Sequence, residues 1–222
     1  MASAQLTPRA AWGSTCVMTA TILPLSPGVP QPLADGRRER SRSSRAKIVL
    51  AMLDLVARGD IAPSAARVAD HAGVGLRTVF RHFDDMDSLY REMADRIEAE
   101  VRPLVSQPFL GATWREQLLE LTDRRAQVFE TILPHRISAN IKRYQSAFLM
   151  ADYVRWLKLE RGRVEMLLPP HILADKIVLE SLHVALSFQS WRLLRHDQGL
   201  PPKQAAMVTR HLVEAVIARV AE

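Results

Sequence analysis

Residues 64–83 read SAARVADHAGVGLRTVFRHF, and the fold turns on how this stretch is organised. Pro63 and Ser64 suit a helix start: proline pre-sets the backbone, and a serine hydroxyl accepts from an otherwise unpaired amide of the first turn. Val68 and Ala69 are the inward residues of a short helix that runs to about His71. Ala72-Gly73-Val74-Gly75 then interrupts it. Gly73 takes the positive φ of a tight inter-helix turn with no Cβ penalty. A second short helix follows from Leu76 to about His82, with Val79 and Phe83 fitted to inward packing. Two short helices joined by a glycine turn form a helix-turn-helix, whose second helix enters the DNA major groove with its N-terminal residues at the base edges. The outward side chains suit that task. Arg77 matches guanine bidentately, Thr78 offers a hydroxyl and a methyl group to thymine, and Arg81 and His82 reach bases or phosphates. An ordinary helical hairpin with a polar face shares the pattern, so the pattern alone does not decide.

Charge weighs on the DNA-binding side. The chain has 222 residues and a formal net charge of +6. Residues 37–83 carry ten basic side chains (Arg37, Arg38, Arg40, Arg42, Arg45, Lys47, Arg58, Arg67, Arg77, Arg81) against Glu39, Asp54, Asp60 and Asp70, which is the whole of that excess. Residues 84–222 carry 19 charges of each sign. A compact basic segment on a larger neutral one is the footprint of a polyanion-binding module on a carrier domain. A solvated basic face is the competing reading.

Working outward, helix signals dominate from Ser41 on and strand signals are absent. Ile48, Met52, Leu55 and Val56 form one face of a first helix that stops near Gly59. Asp84, Asp85 and Asp87 open a helix at about 85–105, since negative charge is favoured at a helix N-terminus. Pro103 and Pro108 are expected to end it. Further helices are predicted at about 112–132, 135–160, 171–198 and 202–221, separated by Pro134, Pro169-Pro170 and Gly199-Leu200-Pro201-Pro202. The expected fold is all-α. Its parts are a disordered extension (1–36), a three-helix helix-turn-helix DNA-binding domain (37–90), and a C-terminal helical ligand-binding and dimerisation domain (91–222). Five prolines in the extension argue against an export signal. A globular composition excludes wholesale disorder. The single cysteine, Cys16, excludes a disulfide framework, and no apolar run approaches the roughly 18 residues a membrane span needs.

With these residues in view, Arg45 to about Met93 resembles the N-terminal domain of the TetR family of transcriptional repressors. The matching elements are I-x-x-A-x-x-x-L (Ile48, Ala51, Leu55), V-A-x-x-A-G-V (Val68 to Val74) and T-V-F-R-H-F (Thr78 to Phe83). The later segment SFQSWRLLRHDQGL, residues 187–200, is similar to the penultimate-helix ending of one branch of that family. The resemblance implies a C-terminal pocket for a small-molecule effector, and a homodimer. Carried over by motif, Ser64 caps the second helix and binds phosphate. Gly75, Leu76, Arg77 and Thr78 open the recognition helix, with Phe80 and His82 at the positions usually held by Tyr and His. Three departures stand out. Met86 occupies a usual Lys position, Gly75 a usual Ser position, and Phe80 lacks the phosphate-bonding hydroxyl. The connection from first to second helix is also about one residue short. The phosphate grip is therefore expected to lean on the arginines before residue 46, Arg42 and Arg45 among them, as an N-terminal arm; a solvated tail is the plain alternative.

In the C-terminal part, the predicted helix at 171–198 is apolar on two faces and so must be buried on two sides. Val184, Phe188 and Trp191, with Val213 and Ile217 of the last helix, are the candidate dimer interface. A dimer would present two recognition helices about 34–36 Å apart to a pseudo-palindromic double-stranded operator. Candidate pocket residues are Met93, Ile97, Phe129, Tyr144, Phe148, Tyr153, Trp156 and His183. The polar row Glu180, His183, Ser187 and Ser190 reads more readily as hydrogen-bonded core than as a cavity wall. Glu180-x-x-His183 also matches half of a di-iron motif, but no second copy occurs and no other catalytic signature is present. No catalytic residue, metal or cofactor is expected. The reading is a cytoplasmic homodimeric regulator, not an enzyme and not a membrane protein. A ligand-independent, low-specificity architectural DNA-binding protein is the alternative, and a helical-bundle enzyme the remote one.

Overall fold

The computed structural model describes residues 34–220, with side chains from Arg38 on. Expectations for residues 1–33, including those on Cys16, lie outside the described residues. The described chain is all-α: α1 (Ala34–Ala57), α2 (Ala65–His71), α3 (Leu76–His82), α4 (Met86–Val105), α5 (Trp114–Lys142), α6 (Ala147–Glu165), α7 (Pro170–Ala174), α8 (Lys176–Ala185), α9 (Phe188–Arg192) and α10 (Pro202–Ile217). Helix α1 already includes Ala34–Gly36, residues expected in the extension. Among the described residues no helix is long and apolar enough to cross a membrane.

Helices α1 to α3 and the start of α4 close a first core around Ile48, Met52, Val68, Val79, Phe83, Leu89 and Met93. Local chemistry sets each boundary. Gly59, at φ +94°, ends the α1 segment, and its amide bonds back to Val56. The Ser64 hydroxyl accepts the Arg67 amide at 3.3 Å, and the Asp85 carboxylate accepts the Ser88 amide at 2.7 Å. Gly73, at φ +65°, makes the turn between α2 and α3.

Helix α4 continues out of this core. Its C-terminal half, with Val101, packs into a second cluster with Val128, Phe129, Ile132, Phe188 and Trp191. A third cluster joins α5, α6, α7, α8 and α10 through Leu118, Val164, Ile172, Leu182, Leu186, Val213 and Ile217. At its start α4 is also tied to α6. The Asp87 carboxylate accepts from Ser146 Oγ at 2.5 Å and from the Phe148 amide at 3.2 Å.

Three predicted boundaries differ. Pro134 lies inside α5 instead of separating two helices. An interior proline costs about 3 kcal/mol, and burial of Phe129, Ile132, Arg136 and Ser138 around it offsets that cost. Pro103 likewise sits inside α4, two residues before its last residue, Val105. The predicted helix at 171–198 is broken into α7, α8 and α9 with a π-helical turn at Leu193–Asp197. The break at Leu186-Ser187 has a clear cause. Ser187 caps α9 by accepting the Ser190 amide at 3.1 Å. The exposed backbone groups then fall to buried charges: Arg125 donates to the Leu186 carbonyl at 2.7 Å, and the Phe188 amide faces Glu160 at 3.5 Å.

That break redistributes the predicted dimer face. Phe188, Trp191, Val213 and Ile217 are buried in the chain's own core. Val184 alone of the five is exposed, and it lines a surface hollow with Ile177 and Leu212 between α8 and α10.

Arg125 donates to the buried Leu186 and Glu160 carbonyls, and its removal leaves both acceptors unpaired. Arg125→Met is therefore expected to cost about 1–3 kcal/mol for each lost bond, read from urea unfolding followed by circular dichroism. A loss under about 1 kcal/mol would show that the Leu186-Ser187 break does not depend on this guanidinium.

Candidate nucleic-acid interface and ligand cavities

Helix α3 is held by one face. Val79 and Phe83 are buried in the first core, while Leu76, Arg77, Phe80 and Arg81 point outward and Thr78 is half-buried. Leu76 is 44% and Phe80 51% exposed, so two large apolar side chains stand in water beside two arginines. Gly75 supplies the extended cap residue in front of α3, with open space around its Cα; a Cβ there would meet nothing within 4 Å. Ser64 is exposed at the start of α2. Ser64, Gly75, Leu76, Arg77, Phe80 and Arg81 are all exposed on one small three-helix unit.

Two of the predicted contacts are used differently. The Arg45 Nε donates to Glu92 at 2.6 Å, a second nitrogen donates to the His82 carbonyl, and the guanidinium lies 4.2 Å from the Phe83 ring centroid. Arg45 thus fastens α1 to the end of α3 and to α4, and is not an arm reaching outward. The His82 ring is half-buried, with an Nε2 that has no hydrogen-bond partner, so it serves the interior side of α3. Arg42 remains exposed on α1. Nearby, the guanidinium of Arg58 and then the imidazole of His71 hold the Asp54 carboxyl below its usual range.

Two cavities lie between α4, α5 and α6. The smaller, about 50 Å³, is lined by Met93, Ile97, His135, Arg136, Asp152 and Trp156 among others. The larger, about 140 Å³, is lined by Val101, Arg125, Phe129, Trp156, Leu159 and Glu160 among others. Trp156 forms part of both walls. Of the predicted pocket residues, Met93, Ile97, Phe129 and Trp156 line these spaces. The other four do not. Tyr144 is exposed and bonded to Arg143 at 2.8 Å; Tyr153 lies with its ring 3.9 Å from the same guanidinium; Phe148 packs under Arg91. His183 is buried 3.3 Å from the Glu165 carboxylate. Glu180 is bonded to Arg161 at 2.7 and 2.9 Å, and Ser190 donates to the Val184 carbonyl at 2.5 Å.

The charged residues of this region were missed in the sequence. Arg125, Phe129, Ile132 and Arg136 follow the i, i+4, i+7, i+11 spacing of one helical stripe, and all four are buried. Two arginines on an apolar stripe were the available signal. Burial draws the Arg125 guanidinium down to about 10 and pushes the Glu160 carboxyl up, with Arg136 and Arg125 opposing that rise.

No family model and no curated protein matches the sequence. Solved structures do. A transcriptional regulator from Rhodococcus sp. Rha1 matches over 80% of this chain and 99% of its own, at TM-score 0.59 and 13% identity. A protein from Mesorhizobium loti described as a TetR-family transcriptional regulator matches over 81% and 97%, at TM-score 0.51 and 17% identity. A TetR family transcriptional regulator from Pseudomonas syringae pv. tomato matches over 79% and 95%, at TM-score 0.52 and 21% identity. The chain has the fold of the TetR-type regulators.

Burial, above all, pushes the His82 and His135 imidazoles below their ordinary value. Unfolded chains protonate these rings as pH falls through about 6.5, while the folded chain takes up the protons only at lower pH. The unfolded state then binds more protons, so stability drops as pH falls through that window. The urea midpoint is expected to decline between about pH 7.5 and 5.5, and His135→Gln to flatten the decline. An unchanged slope in that variant would assign the loss to other groups.

Proposed function

We propose that the protein is a homodimeric, sequence-specific DNA-binding transcriptional regulator of the cytoplasm, a repressor released by a small-molecule effector, and not an enzyme. The observation that carries the reading is α3: a short helix anchored by Val79 and Phe83 that turns Leu76, Arg77, Phe80 and Arg81 to solvent on a basic unit. Arg77 would read a base, Thr78 and Phe80 would meet thymine methyl groups or sugars, and Ser64, Gly75 and Arg42 would approach phosphates. The three-helix unit would be the DNA-binding domain and the remainder the regulatory one.

Support for a dimer comes from the exposed apolar side chains Ile177, Val184 and Leu212, which line one hollow between α8 and α10, Ile177 being 81% exposed. Adjoining exposed apolar side chains of this kind mark interaction faces. Support for effector release comes from α4, which lines both cavities and also anchors the first core through Leu89 and Met93. An effector that prefers a shifted α4 would disfavour the DNA-bound spacing of the two α3 helices. A coupling of about 1–3 kcal/mol is typical of such systems.

Fluorescence anisotropy on DNA from upstream of the protein's own gene, against excess unrelated competitor, tests the reading. Tight binding that survives competitor is expected. Binding that vanishes with competitor would leave only the nonspecific phosphate contribution. Arg77→Ala is expected to cost about 1–3 kcal/mol and to relax base preference at one operator position; an unaltered preference would remove Arg77 from base readout. Val184→Glu is expected to give folded monomers by analytical ultracentrifugation, and a persisting dimer would move the interface off the α8 and α10 face.

A further inference from the structure

The cluster between the two cavities is one negative charge short. Arg125 and Arg136 are each 7% exposed, and Glu160, at 8%, is the carboxylate set between them. Arg125 is well bonded: it donates to the Leu186 carbonyl at 2.7 Å and to the Glu160 carbonyl. Arg136 is not. A single long contact, 3.4 Å, joins it to the Glu160 carboxylate, and its buried Nε has no partner. Two aromatic faces flank it, with the guanidinium 5.0 Å from the Phe188 ring centroid and 5.3 Å from that of Trp156, and Asp152 and Arg155 act on it from farther off with opposite sign. Buried cations are ordinarily paired and hydrogen-bonded, because desolvation is otherwise costly.

The other charges facing these spaces do not correct the balance. Asp152 lines the smaller cavity, but its carboxylate is bonded to Arg155 at 2.7 and 3.0 Å. Around the larger cavity Arg102, Arg124 and Arg163 face Glu98. Arg155 also holds Glu98, at 3.0 Å. The larger cavity is walled by apolar groups such as Val101, Val128, Phe129 and Leu159. Its volume of about 140 Å³ is close to the roughly 150 Å³ of an engineered apolar cavity that binds benzene. The smaller cavity, about 50 Å³, lies beside Arg136 and across Trp156.

We propose that these two cavities form one site for a compact monocarboxylate, with a body about the size of one aromatic ring in the larger space and the carboxylate against Arg136 in the smaller. The anion supplies the missing charge and accepts from the unpaired donor, in the planar geometry that guanidinium and carboxylate share. His135, whose imidazole burial pushes below its ordinary value, lines the same small cavity, and its buried Nδ1 is also without a partner. The inference rests on the reading of this region as the effector site.

Calorimetric titration of the full chain without DNA, using benzoate and phenylacetate against benzamide and phenylacetamide, tests the proposal. The carboxylates are expected to bind about tenfold or more tighter than the equally shaped amides, as an ionic hydrogen bond to a buried guanidinium requires. Arg136→Met should erase that preference. Glu160→Gln, which removes the competing anion, should sharpen it, a change that general damage to the fold would not produce. Equal binding of acid and amide, or binding of neither, would overturn the assignment. Carboxylate binding that leaves an operator complex intact would fault effector release and still support the site.

Discussion

Helix α4 is a structural member of two hydrophobic cores. Leu89 and Met93 belong to the core that carries α3, while Val101 belongs to the core built on α5 and α9. A straight helix rises about 1.5 Å per residue, so displacement at one end is carried to the other with little loss. The two cavities follow one another along α4, the smaller beside Tyr90, Met93 and Ile97 and the larger beside Glu98, Val101 and Val105. The geometry that presents Arg77 to solvent and the geometry that encloses Trp156 are consequently set by one rigid element, and neither region can repack without consulting the other.

Much of this was legible in the sequence where a local rule governs. Gly73 and Gly59 mark turns because only a residue without Cβ takes their backbone angles easily. The stripe Ile48, Met52, Leu55 fixes the inner face of α1, and α2 and α3 fall where capping and periodicity put them. The failures occur where a distant partner overrides the local signal. Pro134 breaks a helix in isolation, yet tertiary burial holds α5 intact across it. Phe188 and Trp191 look like an exposed second face until Ser187 starts a new helix and turns them inward. Arg45 looks like a phosphate ligand until Glu92 and the His82 carbonyl are seen to hold it. A charge is read from sequence by its sign, but its use depends on neighbours 37 or 47 residues away.

The charged cluster in the C-terminal part shows the same dependence in another form. Arg125 and Glu160 satisfy the Leu186 carbonyl and approach the Phe188 amide, groups that a continuous helix would have paired internally. The helix break and the buried charges are therefore a single feature. Replacing either with what a regular helix or an apolar core would have would leave the other unsatisfied. This is why the polar composition of the region is not a surface feature that happens to be covered.

The Asp87 carboxylate, which joins the starts of α4 and α6 through Ser146 Oγ and the Phe148 amide, has a mechanical consequence. Both bonds converge on one short side chain, so they resist translation far more than rotation. Sliding α4 along α6 by one helical turn, about 5.4 Å, breaks both; tilting α4 about Asp87 keeps both nearly at length. The pair is built as a fulcrum at the start of α4, and any such tilt is felt most at the end that carries Val101 into the second core.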